Sequence, residues 1–420
     1  MNVSQNSSLV SKIIIVAALG YFVDIYDLVL FGMERVASLR EILQTTLPAA
    51  ELPNIGKYIE SIGASLLNWQ MFGMLVGGIF WGILGDKKGR LTVLFGSILT
   101  YSLANIANGL VHDTDMYAIL RFISGFGLAG ELGAGITLVS ETMPKEKRGL
   151  GTTVVASVGL FGAVVAGLTT LLLDNWRLSY FIGGGLGLLL FVLRIGVYES
   201  GMFNSLKENK TVNKGNFFYL FSHPKLTLKY LNVILIAIPV WYVMYLLVQF
   251  APEMCRALGL PNAPKEAKIP IMVAYIGITI GDVMSGLLSQ KLKSRKKVLF
   301  LYIALTLLFS ICYFLFVQYS LTLFYVIVFF VGYATGYWAV FMSSASELFG
   351  TNIRATVTTT APNFVRGSVP LMSLAHLTLK PHVGSVQSAI YIGIVVFILA
   401  FIACYKLEET FAKDLNYTES

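Results

Sequence analysis

The chain has 420 residues, 56% hydrophobic and only 13% charged, with a formal net charge of +8. Soluble domains carry roughly a quarter of their residues as charges, so a soluble enzyme or binding domain is excluded and an integral membrane protein is indicated. The basic residues sit in short segments between apolar runs, which is no nucleic-acid footprint, and Cys255, Cys312 and Cys404 lie too far apart for a disulfide framework or a metal site.

Met1 to Ser11 is polar, and Lys12 alone precedes the first apolar run, 12–33. That run contains Asp24 and Asp27 and has no small-residue cleavage pattern after it, so it reads as a retained helix and not a signal peptide. Glu34 to Ile62 reads as a long loop carrying Pro48 and Pro53, with room for a short amphipathic helix at Glu34–Leu43. Runs 63–84 and 91–110 flank Gly85-Asp86-Lys87-Lys88-Gly89-Arg90, a turn tight enough to make a helical hairpin. Gly77, Gly78 and Gly82 let the helices approach closely, and Asp86 falls where the next helix starts, beside its positive dipole end. Runs 116–140, 149–172 and 177–197 complete a first set of six. Runs 229–250, 269–290, 298–318, 320–342, 355–378 and 385–407 form a second set, beyond the polar stretch Ser200–Lys225.

The expected fold is therefore an all-α membrane protein with twelve transmembrane helices in two six-helix pseudo-repeats. Residues 1–198 form the first bundle, 199–228 a cytoplasmic linker and 229–420 the second bundle. Basic clusters fall on alternate loops (Lys87–Arg90, Lys145–Arg148, Lys207–Lys229, Lys291–Lys297), which places both termini in the cytoplasm and the chain in a plasma (inner) membrane. Internal repetition supports the two halves. Glu141-Thr-Met-Pro followed by Arg148-Gly149 recurs as Glu347-Leu-Phe-Gly followed by Arg354-Ala355. Gly130 matches Gly336, and Gly77 and Gly82 match Gly281 and Gly286. The second copy has lost the Asp-x-x-Gly-Arg core and keeps only Lys291 to Lys297.

An ionisable group at a helix centre costs about 2.5–3.5 kcal/mol on insertion scales, so each needs a reason. The first run carries Asp24 and Asp27 on one face, and the fourth carries Arg121 and Glu131. Asp27 and Arg121 each lie a few residues from the outer ends of their runs, a depth match that suits pairing. A carboxylate held by arginine stays ionised until something competes for it, which suits proton coupling. A structural ion pair, or side chains reaching toward the interface, is the competing account. Asp24 and Glu131 lie deeper and are candidates for proton or substrate contact.

The hairpin reads G-x-x-x-G-x-x-G-D-x-x-G-R from Gly78 to Arg90 and resembles the signature loop between helices two and three of major facilitator superfamily transporters. Gly20-Tyr-Phe-Val-Asp-Ile-Tyr-Asp27…Gly32 resembles helix one of the sugar-porter and metabolite–proton symporter branch. Leu120-Arg121-Phe-Ile-Ser-Gly125-Phe-Gly127, leading to Glu131, Glu141 and Arg148-Gly149, resembles its helix four and following loop. Arg194…Glu199-Ser200 resembles its acid-serine loop without the usual proline. The resemblance implies proton coupling at Asp27 and Arg121. It also implies a cytoplasmic charge network of Asp86, Arg90, Glu141 and Arg148 that latches the outward-facing state, with Glu347 and Arg354 as weaker counterparts.

Substrate candidates in the second half are Tyr242, Tyr245 and Gln249 near Pro239, which frees backbone groups toward a cavity. Tyr337 and Trp338 follow in a glycine-broken aromatic cluster, then Asn363 and Arg366. A mid-membrane arginine attracts a carboxylate or phosphate; pairing with Asp282 is the alternative. His376 and His382 lie near the outer end and receive no role.

The function expected is a secondary active transporter that imports a small polar metabolite (sugar, amino acid, osmolyte or carboxylate) by proton symport with alternating access. An exporter or antiporter of a metabolite, siderophore or drug on the same fold is the alternative. The fifth run has Gly159, Gly162 and Gly167 but no proline, which favours uptake. A non-transporting membrane sensor is more remote. No nucleotide loop or zinc-protease motif is present, so no enzymatic activity, cofactor or metal is expected. The expected partners are the small-molecule substrate, protons and the bilayer, with no nucleic acid, and the protein is expected to be a monomer.

Overall fold

The structure, a computed structural model, describes residues 3–143, 148–173, 175–198, 217–350, 353–411 and 413; within these, the side chains of 3–13, 86, 90, 137, 138, 140–142, 148, 149, 196–198 and 355 lie outside the description. Eleven stretches among the described residues are long and apolar enough to cross a bilayer. The predicted run 355–378 supplies the twelfth passage. It forms α14 (Arg354–Gly367) and α15 (Val369–Val383), and α14 carries four threonines, Asn363 and Arg366, too polar to qualify by composition.

In the first half, α1 is Val3–Thr46, α2 Ile55–Lys88 and α3 Arg90–Asn108. The fourth passage is α4 (Thr114–Leu128) with α5 (Glu131–Thr142), and α6 (Arg148–Leu172) and α7 (Trp176–Tyr198) follow. In the second half, α8 (Pro224–Tyr242), a π-helical stretch at Val243–Gln249 and α9 (Ala251–Ala257) make the seventh passage. The eighth and ninth are α10 (Lys268–Leu292) and α11 (Arg295–Phe316), the tenth α12 (Leu321–Thr335) with α13 (Trp338–Leu348), and the last α16 (Ser385–Lys406). The fold is all-α, twelve transmembrane helices in two six-helix pseudo-repeats.

Three expectations need correcting. The first passage does not stop near residue 33: no breaker lies between Gly32 and Pro48, and α1 continues through Glu34–Leu43 to Thr46 as one helix. The seventh run starts before 229, because Pro224 in the first turn already opens α8, after a short 3-10 helix at Phe217–Phe221. The fourth and tenth passages are each two helices.

The breaks occupy the two positions related by the internal repeat. At Ala129–Gly130 a side chain on Gly130 would meet Ser97, Val93 and Trp81. The carbonyls freed there are taken up elsewhere: Trp81 Nε1 donates to Phe126 O at 2.7 Å and Asn363 Nδ2 to Ala129 O at 2.8 Å. At Gly336–Tyr337 a side chain on Gly336 would strike the backbone of Gly281 and Asp282. Thr306 Oγ1 donates to Ala334 O at 2.9 Å, and the amide of Ala339 donates to Asp282 Oδ1 at 2.8 Å. The repeated glycines also share packing roles. Gly77 lies against the Phe126 backbone of α4, and Gly281 against the Tyr333 backbone of α12, each within its own half. Gly82 lies against Thr356 of α14, and Gly286 against Thr153 of α6, each across the two halves.

Candidate functional site

Asp24 and Asp27 of α1 are both fully buried. Asp27 and Arg121 do not form the expected ion pair. Neither Asp27 carboxylate oxygen has a hydrogen-bond partner. Asn105 is a neighbour of Asp27, but its amide nitrogen is itself without a partner. The Arg121 guanidinium lies 5.2 Å from the Phe31 ring and 5.8 Å from the Tyr180 ring, and its Nη1 reaches Tyr180 Oη at 3.5 Å. The reason is the longer α1. Arg121 sits level with Phe31, four residues or about 6 Å beyond Asp27 along the helix. The positive charge of Arg121 nonetheless acts on Asp27, and Gly183 of α7 leaves the room that the Asp27 carboxylate fills.

Glu131 opens α5 and is bound by Arg194 of α7 through both guanidinium ends, with Nη1 to Oε2 at 3.0 Å. Arg194 Nη1 also donates to Leu94 O at 3.0 Å. A side chain on Gly20 would collide with this pair, so α1 rests directly on it. The sequence placed Arg194 only in a loop motif; its partner is 63 residues away. Removing one member of a fully buried pair strands the other charge at a cost of about 3–5 kcal/mol. Glu131→Gln is therefore expected to lower thermal stability of the purified protein strongly, and Glu131→Gln with Arg194→Gln to lower it less. Equal unfolding temperatures for wild type and Glu131→Gln would show that the pair is not holding these helices.

In the second half, the structure separates the candidates. Tyr242 donates its hydroxyl to Ala389 O at 2.9 Å, and Tyr337 to Ile236 O at 3.0 Å, so both tie helices of their own bundle together. Tyr245 and Gln249 belong to one end of the molecule. Tyr245 lines a cavity there with Glu60, Phe250, Glu253 and His376, and His376 in turn is hydrogen-bonded with Ser388 at 2.7 Å. Trp338, Asn363 and Arg366 come together at the centre. Asn363 Oδ1 accepts from Arg366 Nη1 at 3.2 Å, and the guanidinium lies 5.8 Å and 5.7 Å from the rings of Trp241 and Trp338. Asp282 is not the partner of Arg366. It caps α13 through Ala339 and accepts from Ser157 Oγ at 3.5 Å. The strongest attraction on Asp24 of α1 comes from Arg366, across the boundary between the halves.

The halves meet at both ends of this centre. At the end bearing Lys87–Lys88 and Lys291–Lys297, α2 and α5 lie on α14 through Gly78, Gly82 and Gly133. Asp86, Arg90, Glu141 and Arg148 belong to this end, and their side chains lie outside the described residues; Asp86 falls in the last turn of α2 and not at the start of the next helix as expected, because α2 runs on to Lys88 and turns only at Gly89. Glu347 accepts from Arg295 Nε at 3.3 Å and Nη2 at 3.2 Å, and Arg354 donates to the carbonyls of Ser346 at 3.0 Å and Phe349 at 3.2 Å. Beside them Glu409 accepts from Ser294 Oγ and from the Arg295 amide. Burial acts to raise its pKa, but hydrogen bonds from Ser294 and the amides of Arg295, Phe411 and Thr410 outweigh it and hold the carboxyl below its ordinary value.

At the opposite end, residues absent from the sequence-based site join the halves. Arg35 of α1 donates to Glu253 of α9 at 2.8 Å and lies 4.3 Å from the Phe250 ring. Glu34 pairs with Lys268 of α10 at 3.1 Å and accepts from Ser179 at 3.1 Å. Lys380 of α15 pairs with Glu60 of α2. The sequence signal was present, an acid and an arginine adjacent at 34 and 35, but it lay beyond the expected end of the first run.

A profile of the Major Facilitator Superfamily matches residues 17–373. The chain belongs to this superfamily. A putative metabolite transport protein of Haemophilus influenzae is 32% identical over 197 residues, 46% of this chain and 44% of that one. A probable inorganic phosphate transporter of rice, Oryza sativa subsp. japonica, is 35% identical over 164 residues, 38% of this chain and 30% of that one. The chain thus spans less than half the length of these curated relatives. The xylose–proton symporter XylE, solved with 6-bromo-6-deoxy-D-glucose, superposes with a TM-score of 0.71 at 16% identity over 98% of each chain, a likeness of fold.

Proposed function

We propose that this protein is a secondary active transporter that imports a small polar metabolite bearing an anionic group together with protons. The carrying observation is the closed centre. Buried charges from both halves (Asp24 and Asp27, Arg366) face one region, with the halves in contact above and below it. Alternating access needs that arrangement, a fixed midplane site between two bundles that part at one end at a time. Arg366, with its Nε lacking a partner and two indole rings beside it, is the anion contact. Asp27 is the proton carrier, with Arg121 as the charge that competes for it. The proton-symporting fold relative, the metabolite and phosphate transporter names of the sequence relatives, and the proline-free α6 support uptake over export. In the same proposal the 1–198 and 229–420 bundles are the moving units. Both termini lie in the cytoplasm of a plasma (inner) membrane, because the basic loops stay inside. A fluorescent reporter that folds only in the cytoplasm, fused after Ser420, is expected to glow; a dark fusion of normal abundance contradicts the orientation.

The test is uptake by proteoliposomes from a panel of labelled metabolites, at equal pH and with an acid exterior. At least one carboxylate- or phosphate-bearing compound is expected to accumulate above its outside concentration only with the acid exterior. Accumulation that ignores the pH gradient removes proton symport. Accumulation of neutral sugars alone removes the anion contact.

A further inference from the structure

Resting on that proposed central site, we infer that its substrate is a small zwitterion, an amino- or ammonio-carboxylate. Its carboxylate would lie on Arg366 and its cationic end on Asp24. Among the buried polar groups without a partner are both carboxylate oxygens of Asp24, Nε of Arg366 and Nε1 of Trp338. They come from three passages and from both halves. Arg366 is the strongest attraction acting on Asp24, yet the two form no ion pair. The hydroxyls of Tyr21 and Tyr275 lie in the field of both charges, and the Trp338 ring lies 5.7 Å from the Arg366 guanidinium.

Charge balance selects the ligand. Of the other buried acids, Glu131 is bound by Arg194 and Asp282 accepts from the Ala339 amide and Ser157, while Asp27 lies toward α4 in the field of Arg121 without pairing to it. Asp24 and Arg366 are therefore the two opposite charges here whose polar atoms are left without a hydrogen-bond partner. A lone anion would put two negative groups beside one arginine in a closed site, and an uncompensated buried charge costs several kcal/mol. A lone cation would leave Arg366 unanswered in the same way. A neutral polyol would leave two full charges separated and unpaired. A zwitterion brings one charge of each sign, satisfies both unpartnered groups and leaves the net charge unchanged. The indole Nε1–H of Trp338 donates to the same carboxylate, and the flanking rings close the site against water.

The experiment is equilibrium binding to the purified full-length protein, read by the fluorescence of its tryptophans, which include Trp241 and Trp338. The probes are α-, β- and γ-amino acids and glycine betaine as zwitterions, butyrate and inorganic phosphate as anions, and butylammonium as a cation. At least one zwitterion is expected to bind at least tenfold more tightly than butyrate, phosphate or butylammonium. Asp24→Asn and Arg366→Gln are each expected to weaken it at least tenfold, in protein that elutes and unfolds like wild type. Where Arg366→Gln does not fold, Arg366→Lys keeps the charge without the fork geometry and is expected to weaken zwitterion binding while Asp24→Glu does so less. Anions that bind as tightly as every zwitterion and respond to Arg366 but not to Asp24 overturn the zwitterion and leave the proposed transporter standing. Binding unaffected by either residue overturns both. A panel in which no zwitterion binds overturns the inference.

Discussion

Asp27→Asn is expected to abolish accumulation of substrate driven by an acid exterior while leaving downhill exchange within about tenfold of wild type. The argument lies in what each group touches. Asp27 has no hydrogen-bond partner in the closed form, and Arg121 is turned to Phe31 and Tyr180. A proton on Asp27 and an Asp27–Arg121 ion pair exclude one another. Each therefore favours a different arrangement of α1 against α4, and proton binding biases the exchange between them. Asparagine keeps the shape that Gly183 accommodates but neither ionises nor makes the pair. Uptake into proteoliposomes with and without the gradient, beside counterflow at equal pH, separates the two activities. A mutant that still concentrates substrate under the gradient moves coupling to Asp24.

Breaking the Arg35–Glu253 contact is expected to open the opposite end of the molecule. Arg35 is fully buried, and Gly63 of α2 makes room for its stem. Glu253→Gln leaves that guanidinium without its counter-ion in the closed form at a cost of about 3–5 kcal/mol, whereas water reaches it once the end parts. Each 1.4 kcal/mol is about tenfold in population, so a closed-to-open shift of roughly a hundredfold is the scale. The Glu34–Lys268 pair next to it remains and limits the effect. In a background with Cys255, Cys312 and Cys404 replaced, Tyr245→Cys reports the change by its labelling rate with a membrane-impermeant maleimide. Glu253→Gln is expected to raise that rate at least tenfold, and the exchange Arg35→Glu with Glu253→Arg to return it toward wild type. Equal rates in all three would mean that the contact is not a gate.

The glycines at 77, 82, 281 and 286 were legible because the same five-residue interval recurs in both halves, and the structure gives each pair the same two kinds of packing neighbour, one within its half and one across. The C-terminal candidates were less legible. Residue type made Tyr242 and Tyr337 attractive, but a tyrosine's role depends on where its hydroxyl points, and both reach backbone carbonyls within their own bundle. Arg366 and Trp338 lie 28 residues apart in sequence, and only the packing of α13 against α14 brings the guanidinium to 5.7 Å from the indole.

The sequence alone determined the passages, their division into two related halves and the charged hairpin, because apolar run length and glycine spacing act through the backbone within a few turns. Only the tertiary structure decided which charge meets which. Glu131 meets Arg194, Arg121 turns to rings and not to Asp27, and Arg35 finds Glu253 218 residues away. Those choices turn on where each helix ends, breaks and rotates. The extra turns of α1 beyond Gly32 and the breaks at Gly130 and Gly336 shift side chains by several ångströms, enough to exchange one partner for another.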